Sequence, residues 1–362
     1  MKRKMTFTIL VALAVLFLWT GRMFWIASGK LPTGERLARC EQSPNWKDGE
    51  FANRHDTPQL TGDDGVVATF WKFLFKNIPD LKPSIDVPVV KTNLKAIPRG
   101  EDVVVWLGHS SVFIQTQGIR FLFDPVLTNK LPVWLFMRPF QGADAYTPDD
   151  IPEVDYLVIT HDHWDHLDYE TVKALKGRVG QVVCSLGIGS HFAYWGYDER
   201  VIHDMDWGDS LAISSSLSLR CLPSRHFSGR LLGRNRTLWA SYLIDGPYRI
   251  FVSGDGGYDD RFKQIGDAFP CIDLAIMENG QYDKGWRYIH TLPEELPQAI
   301  DDLHPRRVLT YHNGKYALAN HAWTEPLDKI CANAQGKTWQ LLLSRIGEPI
   351  KFDGQQIFKR WW

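Results

Sequence analysis

Three histidines and two aspartates fall within six residues, His161-Asp162-His163-Trp164-Asp165-His166, immediately after the apolar run at 155–160 (Asp-Tyr-Leu-Val-Ile-Thr). A run of that length, rich in branched side chains, reads as a strand, so the cluster occupies a loop at a strand's C-terminal end. Packing is a poor explanation for it, because so many polar and titratable groups are costly to bury without partners. Neutral imidazole and carboxylate are ligand types that suit zinc, at bonds of about 2.0–2.2 Å. On a tight loop His161 and His163 can point into one site while Asp165 and His166 reach a second position beside it. The fold must therefore bring other ligands to this strand edge.

Candidates are present. His226, Asp255 and His312 each follow an apolar run, in Leu222-Pro223-Ser224-Arg225-His226, Val252-Ser253-Gly254-Asp255 and Leu309-Thr310-Tyr311-His312. Strands are predicted at 103–107, 111–115, 121–123, 155–160, 181–184, 217–222, 241–244, 249–253, 274–277 and 308–311, with helices at 169–176 and 294–303. A strand–helix–strand unit of this kind implies a layered α/β sheet, in which loops after parallel strands gather along one edge. The glycines flanking Asp255 let its backbone come close to a neighbour.

The formal net charge of −1 lacks the basic footprint of a nucleic-acid binder, so no nucleic-acid partner is expected. Five cysteines without any C-x-x-C spacing exclude a disulfide scaffold and a cysteine-built zinc module. Lys2, Arg3 and Lys4 precede an uncharged apolar run at 5–20, and apolar character resumes at Met23, Phe24, Trp25 and Ile26. This is the pattern of a membrane anchor or a secretory signal, with the anchor favoured. Positive charge stays on the cytoplasmic side, which exports the remainder: periplasmic or extracytoplasmic if the source is bacterial. The chain divides into the anchor or signal at 1–28, an extension at 29–98 packing on the catalytic domain, and that domain at 99–362.

The sequence resembles the metallo-β-lactamase-fold superfamily, whose H-x-H-x-D-H signature is met by His161, His163, Asp165 and His166. It is most similar to the subgroup of N-acyl phosphatidylethanolamine-hydrolysing phospholipases D. That likeness rests on Trp106-Leu107-Gly108-His109-Ser110, Phe123-Asp124-Pro125, Leu238-Trp239-Ala240-Ser241, Ser253-Gly254-Asp255-Gly256-Gly257-Tyr258, His290-Thr291-Leu292-Pro293-Glu294-Glu295 and His312-Asn313-Gly314-Lys315-Tyr316, over 49–327. It implies an α/β fold, a four-layer αββα sandwich. It implies two divalent metal ions, zinc expected: His161, His163 and His226 would hold one, Asp165, His166 and His312 the other, with Asp255 bridging. Two such ions lower the pKa of a shared water and stabilise charge on a phosphoryl oxygen. Asp165 would orient the resulting hydroxide, and His290 would contact substrate or leaving group. Asp124, Asp168 and His109 are candidates for fixing ligand tautomers.

The expected function is thus a binuclear metal-dependent hydrolase, a phospholipase D-type phosphodiesterase on (N-acyl) glycerophospholipids. A lactone, β-lactam or other carboxylic-acyl hydrolase of the same fold is the alternative. A phosphodiester needs further positive charge, which Arg225, Arg230, Arg234, Arg236 and Lys315 offer; Arg236, Trp239 and His290 are nominated to bind substrate. A lipid needs apolar surface, for which Phe70 to Phe75, with Lys72 and Lys76, and Leu131 to Met137 are candidates. In the resembling subgroup Asn313 is usually Trp and Lys315 a small hydroxyl residue, which implies a differently shaped substrate site.

Overall fold

The computed structural model describes residues 2–62, 77–130, 137–231, 233–352 and 356–362. The apolar stretch 70–75 and most of 131–137 lie outside the described residues. The chain opens with helices α1 (Lys2–Ala27) and α2 (Gly34–Glu41) and a short hairpin of β1 (Trp46–Lys47) and β2 (Glu50–Phe51). One sheet then forms from β3 (Val103–Gly108), β4 (Ser111–Thr116), β5 (Ile119–Phe123), β6 (Val154–Ile159), β7 (Val179–Ser185) and β8 (Ile202–Met205). A second follows from β9 (Ser210–Ala212), β10 (Ser218–Pro223), β11 (Ala240–Asp245), β12 (Ile250–Val252), β13 (Leu274–Glu278), β14 (Arg307–Tyr311) and β15 (Gln340–Leu342). A final strand, β16 (Pro349–Lys351), returns to the first sheet, giving the orders β16-β3-β4-β5-β6-β7-β8 and β15-β14-β13-β12-β11-β10-β9.

Alternation along each strand builds the layers. In β13, Leu274 and Ile276 join the large core between the sheets, while Ala275 and Met277 face a second core outside. Tyr242 and Ile244 against Leu243, and Leu309 and Tyr311 against Val308, repeat the division in β11 and β14. The outer core is closed by Phe262 and Ile265 of α5 (Arg261–Ala268), Leu296, Ala299, Ile300 and Leu303 of α6 (Leu296–Leu303), and Ile330 of α7 (Glu325–Asn333). The first sheet is covered by Val172 and Leu175 of α3 (Tyr169–Leu175) and Phe192 of α4 (Gly189–Tyr194). Strands covered on both faces must be apolar throughout, which is why these runs read as continuous rather than alternating. Helix, sheet, sheet, helix is the expected four-layer order.

Strand direction then places the loops. β5, β6, β7 and β8 pair in parallel, as do β12, β13, β14 and β15. Two antiparallel steps make β3 parallel to β5, and two more make β10 parallel to β12. The segments after β3, β5, β6, β10, β12, β13 and β14 therefore emerge along one edge. Gly254 lets the loop after β12 pass beneath the second sheet: its φ is +58°, and a Cβ would stand 2.6 Å from the Ala240 carbonyl oxygen. The edge strands β8, β9, β15 and β16 carry no apolar run that announced them.

The candidate metal centre

At this edge the ring nitrogens of His161 (Nε2) and His226 (Nε2) lie 2.9 and 3.2 Å from His163 Nδ1. Beside them His166 Nε2 and His312 Nε2 are 3.2 Å apart, and His312 Nε2 is 3.3 Å from Asp165 Oδ2. Asp255 lies between the groups. Its Oδ1 is 3.2 Å from His166 Nε2, and its Oδ2 is 3.1 Å from His312 Nε2 and 3.9 Å from both His161 Nε2 and His226 Nε2. The seven residues nominated from sequence thus converge as one set of three and one of four.

Tetrahedral ligands at the bond lengths usual for zinc stand about 3.4 Å apart, and the observed spacings bracket that value. Lone pairs aimed at one another this closely repel unless a cation or proton lies between them. Asp255 Oδ1 is buried and makes no hydrogen bond within the protein. The donor set therefore fits two divalent cations held by these seven residues.

The partners behind the ligands set their tautomers. Asp124 accepts from Thr160 N at 2.8 Å, Thr160 Oγ1 at 2.6 Å and His166 Nδ1 at 2.8 Å, leaving His166 Nε2 for the site. His226 Nδ1 donates to the Ile289 carbonyl at 2.7 Å. Asn53, from the N-terminal extension, holds both ends of the His226 peptide, donating to its carbonyl and accepting from its N–H. His109 Nε2 is 2.9 Å from Asp165 Oδ2, its ring against His312. His109, Asp124 and His312 all have positive φ, between 41° and 67°, strain that clusters at functional sites.

Charge follows burial. Desolvation, then neighbouring imidazoles, hold His161 well below the usual histidine range, and desolvation, then the His163 ring, does the same for His226. Desolvation takes His163 to about 4. All three present neutral lone pairs. Burial would raise Asp255, yet the His166 and His312 charges hold it well below the carboxylate range, ready to ligate.

A cavity of about 560 Å³ opens over this floor, lined by His163, Asp165, Asp255, His290 and His312, with Gln59, Leu60, Phe227, Arg234, Gln281, Trp286, Ile289 and Leu318 as walls. His290 is brought here, its Nδ1 hydrogen-bonded to Glu278, whose Oε2 accepts from Gly256 N at 2.8 Å. Sequence reading missed Glu278, since one Glu closing an apolar strand carries no motif; only the placement of β13 between β12 and β14 brings it under the site.

Several nominations lie elsewhere. Trp239 is 1% exposed, its Nε1 donating to Asn53 and Ser224, and it does not line the cavity. Arg236 stacks against Trp46 at 5.4 Å and does not line the cavity, because 233–236 turns towards the β1–β2 hairpin. Arg225 and Arg230 are engaged by backbone carbonyls. Lys315 points away, donating to the Val126 carbonyl at 2.8 Å, and Asn313 is tied to the Asn279 and Tyr311 carbonyls. Neither of these departures lines the cavity. Asp168 caps α3, accepting from Glu170 N, Thr171 N and Thr171 Oγ1. Asp168→Ala should lower stability by about 1–2 kcal/mol and leave metal content unchanged, checked by thermal unfolding beside elemental analysis.

Residues 119–313, more than half of the chain, match the family described as the Beta-lactamase superfamily domain. An uncharacterized protein of Mycobacterium tuberculosis (strain ATCC 25618 / H37Rv) is 33% identical over 338 residues, covering 90% of this chain and 89% of its own. The N-acyl-phosphatidylethanolamine-hydrolyzing phospholipase D 1 of Caenorhabditis elegans is 27% identical over 279 residues, 70% of this chain and 77% of its own. Among solved structures, CmlA, a diiron beta-hydroxylase from Streptomyces venezuelae, shares the fold at a TM-score of 0.52 and 22% identity, over 71% of this chain and 54% of that one. By the family match and the two-sheet architecture together, the chain belongs to the metallo-β-lactamase superfamily.

Proposed function

We propose that this protein is a metal-dependent hydrolase of the phospholipase D type, acting on the head-group side of phosphorus in (N-acyl) glycerophospholipids. The observation that carries the proposal is the cavity: metal-ligand side chains and His290 at its floor, Phe227, Trp286 and Leu318 as apolar wall, and Arg234 at its side. The likeness to the Caenorhabditis elegans phospholipase over most of both chains supports it. Two divalent cations, zinc in this proposal, would be held by His161, His163 and His226 and by Asp165, His166 and His312, with Asp255 shared. They would supply Lewis acidity and an acidified water.

The chain's own groups do the rest. Asp165 would accept a hydrogen bond from the attacking water and so aim it. The Glu278 charge raises His290 against the lowering effect of its burial, so the ring carries a proton for the departing head-group oxygen. Arg234 pairs with the phosphate. Arg234→Ala should raise KM about tenfold with little change in kcat, the loss of one charge-assisted pair, whereas Arg236→Ala should leave KM unaltered.

In the proposed division, 1–28 anchors the protein in a membrane, 29–98 supports the site through Asn53, Gln59 and Leu60, and 99–362 is catalytic, on the exported side. The deciding experiment incubates the protein with mixed phospholipids including N-acylated phosphatidylethanolamine, and follows phosphatidic acid by mass spectrometry with His166→Ala as control. Phosphatidic acid formed only by the intact ligand set is the expected result. Intact lipids beside rapid turnover of a lactone or cephalosporin would overturn the reading in favour of acyl hydrolysis.

A further inference from the structure

Residues Thr8–Ala27 of α1 have a mean hydropathy of 2.0, and none of the described residues from Thr8 to Ile26 is buried. At about 1.5 Å per residue such a length spans roughly the 30 Å hydrocarbon core of a bilayer. Helix C-termini leave carbonyls without partners in the helix itself, and here the side chains of Trp195, just after α4, and Arg230, in the loop after β10, help to satisfy them. The Ile26 carbonyl accepts from Trp195 Nε1 at 2.8 Å, and the Ala27 carbonyl from Arg230 Nη2 at 2.8 Å. Through Nη1 the same guanidinium donates to the carbonyls of Asp162, at 2.7 Å, and Leu167, at 2.8 Å. Those two residues bracket His163, Asp165 and His166.

A second path runs alongside. The Arg230 guanidinium lies 3.8 Å over the Trp164 ring, which packs 5.4 Å from Phe24 of α1. Lys30 N donates to His191 Nδ1 at 3.0 Å, and His191 Nε2 is 3.2 Å from Asp162 Oδ2. Ala27 and Ser28 are each 1% exposed. Gly29, with φ +76°, lies so close to His191 that a Cβ would stand 2.1 Å from its Nδ1. No linker separates the end of the apolar helix from the floor of the site.

We propose that α1 is retained in the mature protein as a bilayer-spanning anchor whose last turn is a structural member of the metal loop, so that the lipid bilayer gripping α1 also sets the loop 161–167 at the membrane surface. The proposal rests on reading α1 as the anchor and is independent of which ester is hydrolysed. A substrate drawn from the adjoining leaflet then needs no release into water. Arg230 is here a positioning residue.

The test uses the full chain reconstituted in nanodiscs of phosphatidylethanolamine and phosphatidylglycerol. The intact mass should retain residues 2–29; a mature chain beginning within or beyond α1 would overturn the proposal. Arg230→Met removes three charge-assisted hydrogen bonds at similar volume. It should speed deuterium exchange across 161–167 about tenfold or more and lower bound metal, with α1 still inserted. Unchanged exchange and metal content would overturn the coupling. Should Arg230→Met not fold, Trp195→Phe deletes the side-chain hydrogen bond to the Ile26 carbonyl and should move exchange in the same direction, roughly threefold; no movement overturns it equally. Lipid hydrolysis enters neither readout, so a failure of the phospholipase reading remains separately visible.

Discussion

Replacing His166 with Ala, or Asp255 with Asn, should abolish hydrolysis and metal binding together, lowering the rate at least about a thousandfold, because groups that act as a unit fail as a unit. His166 is the only residue whose ring stands within 3.2 Å of both His312 Nε2 and Asp255 Oδ1 among the described ligands. Asp255 touches both ligand sets, so an amide there removes the one charge they share. Elemental analysis beside turnover checks the prediction, and circular dichroism verifies the fold. A variant that keeps the full metal complement and loses only rate would show that Asp255 is no ligand. Chelation followed by restoration with zinc or with iron distinguishes the two metals, since His and Asp serve both.

Asp124→Asn should weaken metal affinity about 10–100-fold although every ligand residue is kept. The carboxylate takes three hydrogen bonds from Thr160 and His166 with its two oxygens. An amide offers one oxygen, and its NH2 faces a donor whichever way it turns. Each buried donor left unpaired costs about 1–3 kcal/mol, so the metal-free protein should also melt earlier. Metal titration and thermal unfolding of the metal-free form check both parts. Wild-type affinity in the variant would mean that His166 is held by Thr160 alone.

Much of this was open to reading because two-sided burial writes itself into composition. Strands such as β6, β12 and β14 are buried between layers, and a ligand candidate follows each within three residues, His161, Asp255 and His312 respectively. The loop after β6 holds four of the ligand candidates in one segment, so local spacing suffices to find them. The edge strands are only three or four residues long, β8 carries polar His203 and Asp204, and β9, β15 and β16 are partly exposed, so they left no comparable pattern.

The sequence by itself determined the layered α/β class, the ligand candidates and the apolar helix, since periodicity, side-chain chemistry and local spacing are properties of short segments. Only the tertiary structure decided which cations and carboxylates meet the site. Arg225, Arg230, Arg234 and Arg236 lie within twelve residues of one another, yet only Arg234 lines the cavity, while Glu278 reaches His290 from a different strand. The physical reason is that a side chain's partners depend on how strand order and loop direction close in space, and neighbouring positions in one irregular loop point to unrelated surroundings.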